Sequence, residues 1–266
     1  MAELIVDVGM HDGTDTAYYL AKGFDVVAIE ANPEFCADAS TRFAAEIARG
    51  QLTICNVGVA EQPGELTFWV SSRSEWSSFH KENATKGGAS ATSIAVPSVR
   101  FADLLKPFPA PFYIKVDIEG NDTLCIHELE RFAVLPAYVS LESSGSAGED
   151  IGFLTKLGYQ AFKCVRQNDW REITPDNMIW QGNVRKFLTG AGKFGVCPPL
   201  RWHYRKPRIK GWKFVVGSSG PLAKELPGRW LGSDEVLTVW EHLCAVDRQL
   251  NANGLGEWYD IHAFRA

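Results

Sequence analysis

Short apolar runs alternate with amphipathic segments through the first 165 residues, and this alternation constrains the fold more than any other feature. Leu4–Val8, Asp25–Glu30 and Leu52–Val57 have the length and apolar character of buried strands. Thr14–Lys22 shows a helical repeat, and Asn32-Pro33 is typical of a helix N-cap followed by proline. Strands and helices at this spacing predict a parallel sheet with helices on both faces, an α/β fold.

The same alternation continues in the middle of the chain. We predict strands at Glu65–Val70, Phe112–Ile118, Tyr138–Glu142 and Tyr159–Val165, with helices after the second and the third. Residues 71–94 are rich in Ser, Gly, Thr and Ala and show no period, so we predict a mobile loop there.

The last hundred residues lose this period and become rich in aromatic side chains. We predict a strand at Trp212–Val216 and a helix at Ser233–Leu250 with Ser233 as its N-cap. Seven of the nine tryptophans lie in this part: Trp170, Trp180, Trp202, Trp212, Trp230, Trp240 and Trp258.

Composition and charge exclude several classes of protein. Apolar residues make up 45% and charged residues 22%, which is typical of a globular domain and not of a disordered chain. The net charge of −5 argues against a nucleic-acid partner, and no apolar run is long enough to predict a membrane span. Residues 201–213 hold six Lys or Arg and no acid, which is typical of an anion-recognising surface, a subunit contact or a solvated face.

The six cysteines are dispersed and form no CxxC motif, so neither a zinc site nor a disulfide framework is predicted. Reduced, mostly buried thiols and the absence of a recognisable signal peptide lead us to expect a cytoplasmic protein.

The end of the first strand carries a cradle for a nucleoside. Strand one runs into Gly9 and Gly13, and a helix follows, so backbone N–H groups at a helix N-terminus face the ligand. Glu30 ends strand two, 21 residues after Gly9, where a carboxylate can accept hydrogen bonds from both ribose hydroxyls.

The glycine spacing favours a nucleoside without phosphates. A dinucleotide fingerprint anchored on Gly9 needs glycines at positions 11 and 14, where this chain has His11 and Thr14. We therefore predict S-adenosylmethionine (SAM), with a dinucleotide or a purely structural turn as alternatives. The predicted cofactor-binding residues are Asp7, Gly9, Met10, His11, Asp12, Gly13, Thr16, Glu30, Ala31, Asn32, Asn56, Val57, Gly58 and Asp117.

Three segments carry a family resemblance: VDVGMHDGTDTAYYLAKGF, VVAIEANPE and YIKVDIEGND. Together they resemble the FkbM family of SAM-dependent methyltransferases over about residues 3–165, and FVVGSSGPLAKELPGRWL and WYDIHA resemble one branch of it. The chain departs from the family at Met10-His11-Asp12, where small residues are usual, and at Asp122, where Glu is usual. The resemblance implies a doubly wound, Rossmann-like sheet of seven strands, the last antiparallel, and methylation mostly of hydroxyl oxygens on sugars, polyketides or similar products.

Three carboxylates are the candidate catalytic groups. In such a sheet the fourth strand lies beside the first, so Asp117 and Glu119 are expected to face the glycine turn, with Glu142 next along the rim. An alcohol is a weak nucleophile that needs a base or a metal. Either Asp117 or Glu119 takes the hydroxyl proton, or Asp117 and Glu142 hold a divalent cation such as Mg²⁺. His11, His80 and His262 are alternative bases.

We therefore expect an O-methyltransferase acting on a hydroxyl of a sugar or other natural-product acceptor. The alternatives are an N-methyltransferase, an enzyme acting on a peptide or lipid, and a catalytically inactive binding protein on the same fold. Residues 1–165 are predicted to bind SAM, and residues 166–266 to complete the sheet and cover the acceptor within the same structural domain. A homo-oligomer is possible.

Overall fold

The computed structural model describes most of the chain as two β-sheets with helices packed around the larger one. The described residues are 2–143, 146–193, 211–214, 218–250 and 258–266. In this part the strands are β1 (Leu4–Val8), β2 (Asp25–Glu30), β3 (Leu52–Asn56), β4 (Gly58–Val59), β5 (Gly64–Ser71), β6 (Ala91–Val99), β7 (Tyr113–Val116), β8 (Tyr138–Glu142), β9 (Ala161–Arg166), β10 (Glu172–Ile173) and β11 (Tyr259–Phe264). The helices are α1 (Thr14–Ala21), α2 (Pro33–Arg42), α3 (Ala44–Ala48), α4 (Lys81–Ala84), α5 (Phe101–Leu105), α6 (Asp122–Glu128), α7 (Ala147–Lys156), α8 (Met178–Lys193) and α9 (Ser233–Leu250).

The large sheet is doubly wound, as the sequence predicts. Its strand order is β10-β9-β11-β8-β7-β1-β2-β3. β1 pairs in parallel with both β2 and β7, so the winding direction reverses at β1. β11 lies antiparallel between β8 and β9, and with it the described residues supply the predicted seven strands. The two-residue β10 extends that edge by a short antiparallel pair.

The two faces of this sheet bury separate apolar clusters. On one face β-strand residues such as Val6 and Ile114 pack with apolar residues of α5, α6, α7 and α9. On the other face Ile5 and Tyr113 pack with residues of α1 and α2 and with Phe214, Leu222 and Leu226 of the C-terminal third. Strands buried on both faces explain why β1 is apolar along most of its length.

Residues 71–94 are predicted to form a loop, but the structure gives them the end of β5, the helix α4 and the start of β6, so this prediction is wrong for those parts. β5 and β6 pair antiparallel from Gly64↔Ser98 to Ser71↔Ala91, and with β4 they form a second, three-stranded sheet. Between them Trp76 and Ser78 are buried, and the Phe79 ring packs on Phe68 at 5.0 Å between centroids. These buried anchors fix the segment although its composition is typical of a loop.

The C-terminal third only partly follows the predicted elements. α9 has the predicted bounds, but Gly232 is its N-cap, because the Gly232 carbonyl accepts from the N–H of Val236. Trp212–Phe214 is not a strand, and the rest of that predicted strand lies outside the described residues, as do residues 201–210 of the basic segment. Each helix of the described ranges is too short or too polar to span a bilayer.

The segment around Ser219 is tied to the start of α1. The Asp15 carboxylate, which is buried, accepts from the backbone N–H groups of Ser219 and Gly220 at 3.1 and 3.3 Å and from the Ser218 hydroxyl. This contact brings the C-terminal third to the carboxyl edge of the central strands.

Candidate active site

Gly9 follows β1 at a position where no other residue fits. Its φ of 82° lies in the left-handed region. A Cβ on Gly9 would lie 1.8 Å from the carbonyl oxygen of Asp117, because the loops after β1 and β7 touch there. The backbone N–H groups of Gly9 and Met10 both donate to the Ile29 carbonyl, at 2.9 and 3.1 Å. The glycine turn is therefore fixed between the ends of β2 and β7.

A buried ion pair supports this turn from below. The Lys115 ammonium lies 3.2 Å from the Asp7 carboxylate and donates to the Gly9 carbonyl at 2.8 Å. The other oxygen of Asp7 accepts from the Thr16 hydroxyl at 2.6 Å. Burial disfavours the ammonium, but the carboxylates of Asp7, Asp117 and Asp15 more than compensate and raise the pKa of Lys115.

Glu30 faces the glycine turn from the end of β2. One carboxylate oxygen accepts from the N–H of His11 at 2.9 Å, and the other accepts from the N–H of Asn32 at 2.7 Å. Burial raises the pKa of Glu30, and these two hydrogen bonds partly oppose that rise. A carboxylate has about four acceptor positions, so two remain for a ligand.

A cavity of about 330 Å³ opens between the glycine turn and the end of β7. This volume is within the range of small-molecule sites. The predicted site residues that line it are Gly9, Met10, His11, Asp12, Glu30, Ala31, Val57, Gly58, Asp117, Glu119 and Glu142. The structure thus brings nine of the fourteen candidate cofactor residues and the three candidate catalytic carboxylates to one cavity.

Five predicted cofactor residues do not line the cavity: Asp7, Gly13, Thr16, Asn32 and Asn56. Asp7 pairs with Lys115 and accepts a hydrogen bond from the Thr16 hydroxyl, as described above. Asn32 caps α2 through its side chain and donates its N–H to Glu30. The Asn56 amide donates to the carbonyls of Glu30 and Ala31 at 2.9 and 3.1 Å. Gly13, with φ 74°, begins α1 beside the Phe43 ring. These residues instead support the turn and strand ends that line the cavity.

The three carboxylates differ in their surroundings. Asp117 accepts from the Ser219 hydroxyl at 3.1 Å. Burial raises the pKa of Glu119 to about 7, against the opposing effect of Lys86, whose ammonium lies 2.9 Å from its carboxylate. Burial also raises the pKa of Glu142, and the nearby carboxylates of Asp117 and Glu119 raise it further.

The loop that carries Asp117 and Glu119 is held in an unusual conformation. Glu119 has a left-handed φ of 51°, and Gly120 has φ 114°. The Asp122 carboxylate accepts from the N–H groups of Ile118 and Gly120, both at 3.1 Å. Burial and the charge of Asp117 raise the pKa of Asp122 to about 6.

The three candidate histidine bases lie in different places. His11 lines the cavity, with its ring 2.9 Å from the Ser74 hydroxyl and edge-on to Phe35. His80 bonds to Asn121 at 2.9 Å and is not among the lining residues. His262 is completely buried within β11, and burial lowers its pKa to about 3, so it stays neutral there. Of the three, His11 is the one that the cavity reaches.

Other cavity residues were not predicted from the sequence. One group belongs to the second sheet and its connection, and another to the C-terminal third; they include Phe68, Arg73, Trp76, Phe79, Gln167, Asn168 and Ser218. Trp258 also lines the cavity, and it belongs to the aromatic-rich segment that is predicted to cover the acceptor. The sequence signal for the first group is the presence of Trp76 and Phe79 in the otherwise Ser- and Gly-rich stretch 71–94, because large aromatic side chains are usually buried.

The hypothesis of a divalent cation finds no support in this geometry. Among the residues that the structure describes, no group of three or more acidic, histidine or cysteine side chains has an arrangement suited to a metal ion. Asp117 and Glu142 therefore have no third ligand of that kind in the described ranges.

Comparison with known proteins agrees with the site. The family model of the methyltransferase FkbM domain matches residues 7–169. No curated protein matches this chain. Solved structures with similarity to it include a precorrin-6y C5,15-methyltransferase from Geobacter metallireducens GS-15, with 11% identity, TM-score 0.40 and coverage of 100% of this chain and 81% of that one. The StiE O-MT structure has 9% identity, TM-score 0.40 and coverage of 99% and 68%.

A third structure is the Haemonchus contortus phosphoethanolamine N-methyltransferase 2 in complex with SAM, with 8% identity and TM-score 0.37. The match covers 100% of this chain and 49% of that one, so this chain spans about half of its length. These structural similarities are weak, and the family model carries the assignment. Since that model covers more than half of the chain and includes the glycine turn, Glu30 and the Asp117 loop, the chain belongs to the FkbM family of SAM-dependent methyltransferases.

Proposed function

We propose that this methyltransferase transfers a methyl group from SAM to a hydroxyl oxygen of a small-molecule acceptor, such as a sugar or another natural product. The observation that carries the proposal is the shared cavity, lined by the glycine turn and Glu30 and also by Asp117, Glu119 and Glu142. Methyl transfer to a hydroxyl needs the donor, the oxygen and a proton-accepting group in one place.

The residues around the glycine turn fit the cofactor. When bound, SAM supplies an electrophilic methyl carbon on a positively charged sulfur. We assign the free acceptor positions of Glu30 to the ribose hydroxyls, and the apolar side chains of Phe35 and Val57 to the adenine. The absence of a Cβ at Gly9 lets the Asp117 loop approach the turn, which narrows the space around the ligand.

The charge of the lining favours a cationic ligand. Seven acidic residues line the cavity: Asp12, Asp15, Glu30, Glu75, Asp117, Glu119 and Glu142. The basic lining residues are Arg73 and Lys115, and Lys115 is paired with Asp7. A negative cavity with protein walls attracts a sulfonium and an ammonium group and repels anions.

We assign the proton-accepting role to Glu119, with Asp117 orienting the acceptor hydroxyl. A pKa of about 7 leaves Glu119 partly ionised at neutral pH, which is the condition under which a general base works best. Glu142, whose pKa is raised by burial and by four neighbouring acids, is suited to hold its proton and donate a hydrogen bond to the acceptor. His11 is the alternative base, since it lines the same cavity.

Residues of the C-terminal third support a polar, ring-shaped acceptor. Trp258, Gln167 and Asn168 line the cavity together with Glu142. The Gln167 amide donates to Asp260 at 2.9 Å, which fixes its orientation. An aromatic face beside amide and carboxylate groups is suited to a sugar ring, whose apolar face stacks and whose hydroxyls accept and donate hydrogen bonds. We therefore propose that residues 166–266 cover the acceptor.

The experiment combines calorimetry with a transfer assay. We expect SAM and S-adenosylhomocysteine to bind with one site per chain, and methyl-labelled SAM to label a panel of glycosides and phenols more than matched amines and peptides. Labelling of amines alone would indicate an N-methyltransferase. The assigned base is supported if Glu119→Gln binds the cofactor but transfers no methyl group. The exposed control variant Asp103→Asn should transfer the methyl group normally. No binding of either nucleoside would refute the proposal.

A further inference from the structure

The connection between β5 and β6 is fixed onto the Glu119 turn by side chains. The Ser78 hydroxyl and the Asn83 amide both donate to the Glu119 carbonyl, at 2.7 and 2.9 Å. Lys86 donates to the Glu119 carboxylate at 2.9 Å, and the His80 ring bonds to Asn121 at 2.9 Å. We call residues 77–86 the clamp segment, because they contact both the main chain and the side chain of Glu119.

The clamp segment is itself anchored in the second sheet. Ser78 is completely buried and exchanges two backbone hydrogen bonds with Trp69 of β5, at 2.8 and 3.1 Å. The Ala84 carbonyl accepts from the Ser71 hydroxyl at 2.6 Å. The Lys86 ammonium also lies 5.2 Å from the centre of the Trp76 ring, which is buried. Lys86 therefore comes from a fixed position and not from a freely moving loop.

Glu119 needs this support because its backbone is strained. A non-glycine residue with φ 51° is in a sparsely populated backbone conformation and persists only where the surroundings hold it. The two hydrogen bonds to its carbonyl, from Ser78 and Asn83, supply that restraint. Strained residues that are held in this way are concentrated at functional sites.

We propose that Lys86 is a positioning residue for methyl transfer: it holds the Glu119 carboxylate at the cavity wall and keeps it in the proton-accepting form. This inference rests on the proposed role of Glu119 as the base. The contact is an ion pair with both side chains mostly shielded from solvent, 17% exposed for Lys86 and 15% for Glu119. At this burial an ion pair is screened less than at a surface.

The other groups that face Glu119 act in the opposite direction. Burial raises its pKa, and so do the carboxylates of Asp117 and Asp122, while Lys86 lowers it. Glu142, across the cavity rim, is also coupled to Glu119 by charge repulsion. Three acids and a partly desolvated site thus favour the protonated carboxyl, and the Lys86 ammonium is the charge that opposes them.

The test measures Glu119 directly and needs no acceptor. Protein labelled with ¹³C at the glutamate carboxyl is titrated by NMR, and Glu119→Gln identifies the Glu119 signal. We expect Lys86→Met to raise the titration midpoint of Glu119 by about one pH unit or more, because an opposite charge at this distance lowers a carboxyl pKa by about 1–3 units. Lys86→Arg, which keeps the charge, should restore most of the wild-type midpoint.

Lys81→Met is the matched control. Lys81 lies in the same segment with its ammonium over the Trp69 ring at 4.7 Å, and it is exposed. We expect the Glu119 midpoint of this variant to equal that of the wild type. The inference would be overturned if Glu119 had the same titration midpoint in Lys86→Met as in Lys81→Met. It would also be overturned if Lys86→Arg raised the Glu119 midpoint as much as Lys86→Met does.

A second measurement follows the reactivity of the Lys86 amine instead of the titration of Glu119. In Glu119→Gln we expect Lys86 to react faster with acetic anhydride relative to Lys81 in the same molecule, by about threefold or more, because an ammonium that loses its carboxylate deprotonates more readily. An unchanged ratio would contradict the inference even if Lys86→Met does not fold. S-adenosylhomocysteine binding by both variants separates this outcome from failure of the proposed function.

Discussion

Asp7 and Lys115 are register partners on the two central strands, β1 and β7, and their side chains form an ion pair at 3.2 Å across the point where the sheet reverses its winding. Both side chains are almost completely buried. Because the same ammonium also binds the Gly9 carbonyl, the pair links the interior of the sheet to the glycine turn that lines the cavity.

Removing the ammonium should destabilise the protein strongly. Lys115→Met leaves the Asp7 carboxylate buried without its cation, so we expect a loss of about 3–5 kcal/mol in the free energy of unfolding, measured in urea. Asp7→Asn combined with Lys115→Met should recover part of this loss. Lys106→Met removes an exposed pair with Asp103 and should change stability by less than about 1 kcal/mol. A similar loss of stability in Lys115→Met and Lys106→Met would contradict this account.

Gly9→Ala should cost much more than loss of a left-handed glycine alone. Gly50 has a positive φ of 74° and open space around its Cβ position, so Gly50→Ala measures the backbone term by itself, about 1 kcal/mol. Gly9→Ala adds a collision with the Asp117 carbonyl. We expect an additional loss of about 2 kcal/mol or more, and weaker S-adenosylhomocysteine binding in Gly9→Ala alone. Equal losses of stability in Gly9→Ala and Gly50→Ala would show that the loops after β1 and β7 separate at little cost.

Glu30 variants test the ribose assignment. Glu30→Gln keeps the size of the side chain but replaces one acceptor oxygen with an amide. We expect S-adenosylhomocysteine affinity to fall by roughly 10- to 100-fold, because hydrogen bonds to a charged group contribute about 1.5–3 kcal/mol. Calorimetry measures the change, and the exposed Glu34→Gln serves as control. An unchanged dissociation constant for Glu30→Gln would place the ribose elsewhere.

Stability should fall as the pH rises through the range in which Glu119 titrates. Its pKa is about 7 in the folded protein and 4.5 ordinarily, so the folded state binds more protons between these values. The stabilising contribution is complete below about pH 4.5 and is lost as the pH rises to about 7. Between pH 4.5 and 7 we expect the unfolding free energy of Glu119→Gln to fall by about 1–3 kcal/mol less than that of the wild type. The control variant Glu34→Gln should follow the wild-type profile. Parallel profiles would refute the raised pKa.

Part of the site could be predicted from local sequence because its requirements are local. An apolar run, a glycine at positive φ and a helix start follow one another along the chain around Gly9, and Asn32-Pro33 is both a cap signal and the neighbour that fixes Glu30. Asp117 and Glu119 follow β7 directly, and parallel strands bring their carboxyl ends to one edge of the sheet.

The clamp segment could not be predicted in this way. It lies within residues 71–94, whose Ser-, Gly- and Thr-rich composition is typical of a loop. Trp76 and Ser78 are buried there, and Ser78 is bonded to β5 and to the Glu119 turn, which is distant in sequence. Asp7 shows the same limit. Its position after an apolar run suits either a ligand contact or a buried ion pair, and only the register with Lys115 decides between them.

The alternation of strands and helices from β1 to β3 and from β7 to β9, the glycine turn and the identity of the acidic residues at the strand ends were therefore determined by the sequence itself, through hydrophobic periodicity and backbone conformation. Which carboxylate is paired, which titrates near neutral pH and which side chains close the cavity were decided by the tertiary structure. The physical reason is that burial and charge–charge energies depend on neighbours such as Lys86 and Lys115, which the fold brings together from distant positions.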